Sequence, residues 1–210
     1  MFLHEDKKQF SHIINRISYQ TGRMGKMIEK DYYVTMILRL LSSEMPFVVF
    51  KGGTSLSKCY KIISRFSEDI DVTVDQNLSQ GQKKKLKYGI VDAIQQMGLE
   101  ILNLNETRSR RDYNRYIIAY ESVLPKLNET VQPVIYLETS FTTIAFPTVI
   151  MPVDSMIGDM LKAKAPELLE RYGLNAFCMK VQGLDRTLAD KVFAVCDYYL
   201  QNRVRKHSRH

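Results

Sequence analysis

Asp69 and Asp71 stand two residues apart in Asp69-Ile-Asp71-Val72, and strand alternation sends both carboxylates to one side while Ile70 and Val72 go to the other. Two carboxylates on one face are hard oxygen donors suited to one or two Mg²⁺ ions, with Mn²⁺ as a substitute. A metal pair about 3.5 to 4 Å apart holds the attacking and leaving oxygens of an in-line phosphoryl displacement. Just upstream lies Lys51-Gly-Gly-Thr-Ser-Leu-Ser-Lys58. Gly52 and Gly53 let the backbone approach a ligand closely, and hydroxyls and amides at a helix start, here Thr54 and Ser55, suit phosphate oxygens. Glu138, in a third strand, is the candidate third metal ligand. Taken singly, each piece has an ordinary reading as a turn, a helix cap or a solvated strand face; it is their order that points to nucleotide chemistry.

Other chemistries are excluded by what the chain lacks. All four histidines (His4, His12, His207 and His210) lie near the ends, so the middle has no imidazole for a Ser/His/Asp relay, a Cys/His pair or an HExxH zinc site. Cys59, Cys178 and Cys196 are odd in number, far apart and without a CxxC, as expected of reduced thiols. The 210 residues are 45% hydrophobic and 25% charged, with ten glycines and six prolines, enough for a continuous core without staples. No apolar run reaches the roughly 18 residues of a membrane span. The N-terminal MFLHEDKKQF lacks the apolar centre of a secretory signal, so a cytoplasmic location is expected. A net charge of +7 suits a polyanionic partner through counterion release, and is equally that of a basic soluble protein.

The elements that must position these residues follow from periodicity. Residues 5–20, with Phe10, Ile13, Ile14 and Ile17, and residues 27–42, with Ile28, Tyr32, Met36 and Leu40, predict two amphipathic helices. After Pro46, Phe47 to Phe50 reads as a buried strand entering the glycine turn, and Thr54 or Ser55 as the cap of a helix through Lys58 and Ile62. Ile70 to Val74 is a second strand, and 79–97 an exposed helix carrying Lys83, Lys84, Lys85 and Lys87. Three β-rich segments follow at 99–104, 115–121 and 133–141; the last puts Ile135, Leu137 and Thr139 on one face and Tyr136, Glu138 and Ser140 on the other. From about Val153 the chain reads as helical, with segments at 166–172 and 185–200, the latter capped by Asp185. The expectation is an α/β or α+β fold, a mixed-sheet core of roughly 45–145 with helices at both ends.

KGGTSLSKCYKIISRFSEDIDVTV resembles motif I of the DNA polymerase beta-like nucleotidyltransferases, and in its wording it is similar to the AbiEii/AbiGii toxin family, which includes the tRNA-modifying MenT toxins. Ile28-Glu-Lys-Asp-Tyr-Tyr33 resembles that family's N-terminal helix signature, and Thr187-Leu-Ala-Asp-Lys191-Val-Phe-Ala194 its lysine-bearing helix. The resemblance implies that Gly53, Thr54 and Ser55 contact nucleotide phosphates, that Asp69 and Asp71 bind Mg²⁺, and that Lys191 meets the triphosphate, with Lys58 as a further phosphate contact. Asp31, Asp190 and Asp197 read as capping, pairing or surface groups. The implied organisation is a nucleotidyltransferase core with N-terminal helices over 1–150 and a C-terminal helical region over 151–210. Family members carry a further run such as Arg-x-x-Asp-x-Tyr-Asp after the lysine helix, whereas here the sequence ends Arg203-Val-Arg-Lys-His-Ser-Arg-His210, so a form truncated relative to the family is expected.

The function implied is transfer of a nucleoside monophosphate from an NTP to an acceptor hydroxyl at the 3′ end of tRNA, by the toxin of a bacterial toxin–antitoxin or phage-defence pair with an AbiEi-like antitoxin encoded beside it. Lys83 to Lys87, Arg108, Arg110, Arg111, Arg115 and the basic tail are candidates to track an RNA backbone, and Tyr113 or Tyr116 to stack on a base. The alternatives are nucleotidylation of a protein or small molecule, and a non-catalytic nucleotide- or RNA-binding module.

Overall fold

A computed structural model of the chain describes residues 1–63, 69–125 and 132–207, the last seven of these as backbone only. The Arg65 to Glu68 part of the motif, and the side chains of the basic tail from Arg203 on, lie outside the described residues. The first helix, α1 (Lys7–Thr21), is capped by Asp6, whose carboxylate accepts from the Gln9 amide at 3.0 Å. It buries the expected stripe of Phe10, Ile13, Ile14 and Ile17, each worth about 1.5 to 3 kcal/mol of transfer free energy.

The second helix, α2 (Gly25–Glu44), departs from the amphipathic expectation. It is buried on every side from Ile28 to Leu38, including Glu29, Lys30 and Asp31. Its charged groups tolerate this because each finds a partner brought from far along the chain. Glu29 accepts from the Ser122 hydroxyl and the Val123 amide, both at 2.7 Å. Lys30 reaches the Gln132 carbonyl at 3.5 Å. Asp31 pairs with the Lys58 ammonium and accepts from the Met156 amide at 2.8 Å.

Then come β1 (Val48–Lys51), α3 (Gly52–Lys58), β2 (Asp69–Val74), α4 (Gln80–Gln96), a two-residue β3 (Glu100–Ile101), β4 (Tyr113–Ala119), β5 (Val134–Ser140) and β6 (Thr148–Val153). They are followed by α5 (Met156–Lys164), α6 (Pro166–Tyr172), β7 (Phe177–Gln182) and α7 (Leu184–His207). The strands form one seven-stranded mixed sheet in the order β3-β4-β5-β2-β1-β7-β6, in keeping with the expected mixed α/β class. β1 is antiparallel to β2 and parallel to β7, and β2 is parallel to β5, which is antiparallel to β4. Ile70, Val72, Ile135, Leu137, Tyr116 and Ile118 join the buried residues of α1, α2, α4 and α5 in one core, so the other face of β2, β5 and β4 is left for polar groups.

The stretch expected to be helical from 151 on is corrected in two places. β6 runs across position 150 as an edge strand, and β7 inserts between it and β1. Phe-Cys-Met-Lys-Val-Gln has too few β-branched and aromatic residues to declare a strand by itself; pairing with Val49 and Phe50 on one side and with β6 on the other makes it one. The β-rich segment 99–104 shrinks to β3. Asp185 is not a cap: Thr187 N–H donates to the Gly183 carbonyl at 3.0 Å, so α7 starts one residue earlier and Asp185 lies in its first turn, where its charge favours the helix N-terminus.

Candidate active site

Register carries four charged side chains onto one row across the polar face. Lys51 of β1 is opposite Asp71 of β2, Asp71 is opposite Glu138 of β5, and Glu138 is opposite Arg115 of β4. Asp69 sits one step along the same face, opposite Tyr136. The two aspartates share a face as alternation requires, with Ile70 and Val72 buried beneath them.

The double-glycine turn closes directly on this row. Gly52 has φ +78°, in the left-handed region, and a Cβ there would lie 2.8 Å from the Asp71 carboxyl carbon. A side chain at 52 is thus excluded twice, by backbone strain and by the carboxylate it would displace. Lys51 leads into α3, and Thr54 binds this helix to β2 by donating its hydroxyl to the Asp69 carbonyl.

Asp71 feels the crowding. Burial, then the charge of Glu138, raise its carboxyl to about 6, with Asp69 adding to the rise while Lys51 and Lys191 oppose it. Carboxylates held together against their own repulsion are a donor set that a cation would relieve, and their hard oxygens fit Mg²⁺ or Mn²⁺. Among the described residues no three His, Cys, Asp or Glu side chains stand gathered as a ready metal cage. Glu138 is 3.4 Å from the Arg115 guanidinium, and burial, then the nearby Glu138 carboxylate, push the Tyr113 phenol up.

The remaining expected site residues divide. Lys191 is exposed on α7, and its charge reaches Asp71. Its helix is anchored where Gln182 donates to Thr187 Oγ1 at 3.2 Å and to Asp190 at 3.0 Å, so Asp190 is a pairing group, as read. Thr54 and Ser55 are not caps but lie inside α3, buried, with the Ser55 hydroxyl on the Gly52 carbonyl at 2.8 Å. In this arrangement those hydroxyls brace the turn. Lys58 is not brought to the row: it is buried against Asp31, both about 7% exposed, and also donates to the Asp154 carbonyl at 3.2 Å.

A family model described as nucleotidyl transferase AbiEii toxin, type IV toxin–antitoxin system, matches residues 37–210. The chain belongs to the AbiEii family. No curated protein matches its sequence. Among solved structures, it is similar to MenT4, a nucleotidyltransferase toxin from Mycobacterium tuberculosis H37Rv, with a TM-score of 0.56 and 20% identity. That match covers 85% of this chain and 57% of MenT4, so the chain spans little more than half the length of that relative, and the likeness is one of fold.

Within this AbiEii chain, the residue that reading the sequence leaves out of the row is Lys51, while Arg115 and Tyr113, expected to meet RNA, also border Glu138. Lys51 was visible as the residue before the glycines, but its place beside Asp71 depends on the β1–β2 register. Tyr116, offered as a stacking residue, is buried in the core, whereas Tyr113 is half exposed. Several of the basic groups are already engaged: Lys83 pairs with Asp112 at 2.6 Å, Lys87 donates to the Thr107 carbonyl at 2.9 Å, and Arg111 to the Glu106 carbonyl at 3.2 Å.

Proposed function

We propose that this AbiEii chain carries the nucleotidyl-transfer site of a toxin that moves a nucleoside monophosphate from an NTP onto the 3′-terminal hydroxyl of tRNA. The observation that supports this is the convergence of Asp71 on the Gly52 turn, with Asp69 on the same face and Glu138 in register. In the reaction the acceptor oxygen bonds to the α-phosphorus as the bond to the β-phosphate bridge breaks. Pyrophosphate departs, and the hydroxyl proton passes to a row carboxylate or to water.

Mg²⁺ held by Asp69 and Asp71, with Glu138 as third ligand, would supply charge neutralisation on the phosphates. The chain's own residues do the rest. Gly52 and Gly53 let the backbone lie close to the phosphates, and Lys191, together with Lys51, offsets the negative charge that builds on the leaving pyrophosphate. Thr54 holds the turn against β2, and Ser55 braces it through the Gly52 carbonyl. A type IV toxin–antitoxin family implies an antitoxin; we assign an AbiEi-like protein to that part and the cytoplasm as the place of action. No described helix is long and apolar enough to cross a membrane.

The test is incubation with each labelled NTP, Mg²⁺ and total tRNA, comparing the chain with Asp69→Ala and Asp71→Ala. Label in RNA that falls at least 100-fold in both variants is the expected result. Label in protein would replace tRNA by a protein acceptor, and nucleotide binding without transfer would leave a binding module.

A further inference from the structure

The charged row has a direction. Lys51 and the glycine turn lie at one end of it, while Glu138 and Arg115 lie at the other. In-line displacement requires the leaving group and the attacking hydroxyl on opposite sides of the α-phosphorus. If the phosphates sit at the glycine end, the acceptor arrives over β5 and β4.

That end carries a distinctive surface. The Arg115 guanidinium lies over the Tyr136 ring at 4.0 Å and is about half exposed, so one of its flat faces rests on the tyrosine and the other is open. Tyr113, two residues before Arg115 on the same face of β4, is 50% exposed and borders Glu138. The loop that leads into β4 presents exposed Arg108, Arg110 and Arg111.

We propose that Tyr113, Arg115 and Tyr136 form the acceptor subsite, which receives the terminal nucleotide of an RNA chain. The base stacks on the aromatic and guanidinium faces, and the Arg115 N–H edge meets the preceding phosphodiester. A flat ring and a stacked guanidinium grip any base by its face, and the arginines of the adjoining loop continue the line of positive charge along the strand. The inference rests on the nucleotidyltransferase reading above and assigns a substrate half that the family match leaves open.

Steady-state transfer from a labelled NTP to total tRNA, and to a short single-stranded RNA, tests it in parallel with binding of a fluorescent NTP. Tyr113→Ala and Arg115→Ala are expected to raise the KM for RNA about tenfold or more while the Kd for NTP stays within about twofold. Tyr113→Phe, which keeps the ring, should hold the RNA KM near that of the unaltered chain, and Arg115→Lys, which keeps charge without a stacking plane, should recover only part of the loss. Thermal unfolding of each variant shows that the fold persists. An unchanged RNA KM, or an NTP Kd that rises in step with it, overturns the subsite while leaving the transferase reading in place. An unaltered chain that transfers to no RNA at all overturns both.

Discussion

Two sets of charges lie on opposite sides of this sheet and are treated in opposite ways. On α2, Glu29, Lys30 and Asp31 are buried and each is matched with a donor or acceptor, the Asp31 pair with Lys58 tying α3 to α2. On the open face, Asp71 and Glu138 stand side by side, and the Asp71 carboxyl is driven up to about 6. A charge neutralised by its neighbour contributes to holding a fold. Like charges held together oppose the fold and are retained where a ligand supplies what is missing.

Substitutions on the two sides should therefore differ in sign. The largest effect is expected from Asp31→Ala, which strands the Lys58 ammonium in the interior and should destabilise the chain by about 3 to 5 kcal/mol in urea unfolding. The double change Asp31→Leu with Lys58→Met, which removes both charges and keeps the volume, should recover most of that loss; if it does not, the pair does more than neutralise itself. Asp71→Asn should act in the other direction. Between its ordinary value of 3.8 and about 6 the folded chain binds more protons at Asp71 than the unfolded chain does, so this group's contribution to stability falls as pH rises through that window. Unfolding in EDTA should show the Asn variant more stable by up to about 3 kcal/mol at pH 7.5, with the difference gone below pH 4 and transfer activity lost. The smallest effect belongs to Lys7→Ala, which breaks a solvated pair with Glu121, side chains 60% and 78% exposed, and should change stability by at most about 1 kcal/mol.

Much of the active face was legible in the sequence because it obeys local rules. Asp-Ile-Asp-Val alternates, the 134–140 strand alternates, and a glycine pair after an apolar run marks a turn. What escaped depends on residues far apart in the chain. α2 reads as amphipathic because its charged residues look like a wetted side; only Ser122, Met156 and Lys58, arriving from elsewhere, make them interior groups. The family resemblance draws Lys58 to the phosphates, yet one helical turn carries it to Asp31 of α2. β7 is a strand because β1 and β6 flank it, and Lys51 joins the row only through the register of β1 with β2.

That register has an electrostatic consequence. Lys51, Arg115 and Lys191 balance Asp69, Asp71 and Glu138 in formal charge, so these six residues together carry no net sign. A highly anionic triphosphate gains little long-range attraction from such a surface. A divalent ion settling among the carboxylates would turn the local field positive, making nucleotide capture conditional on the ion and keeping the empty face indifferent to the many phosphates around it.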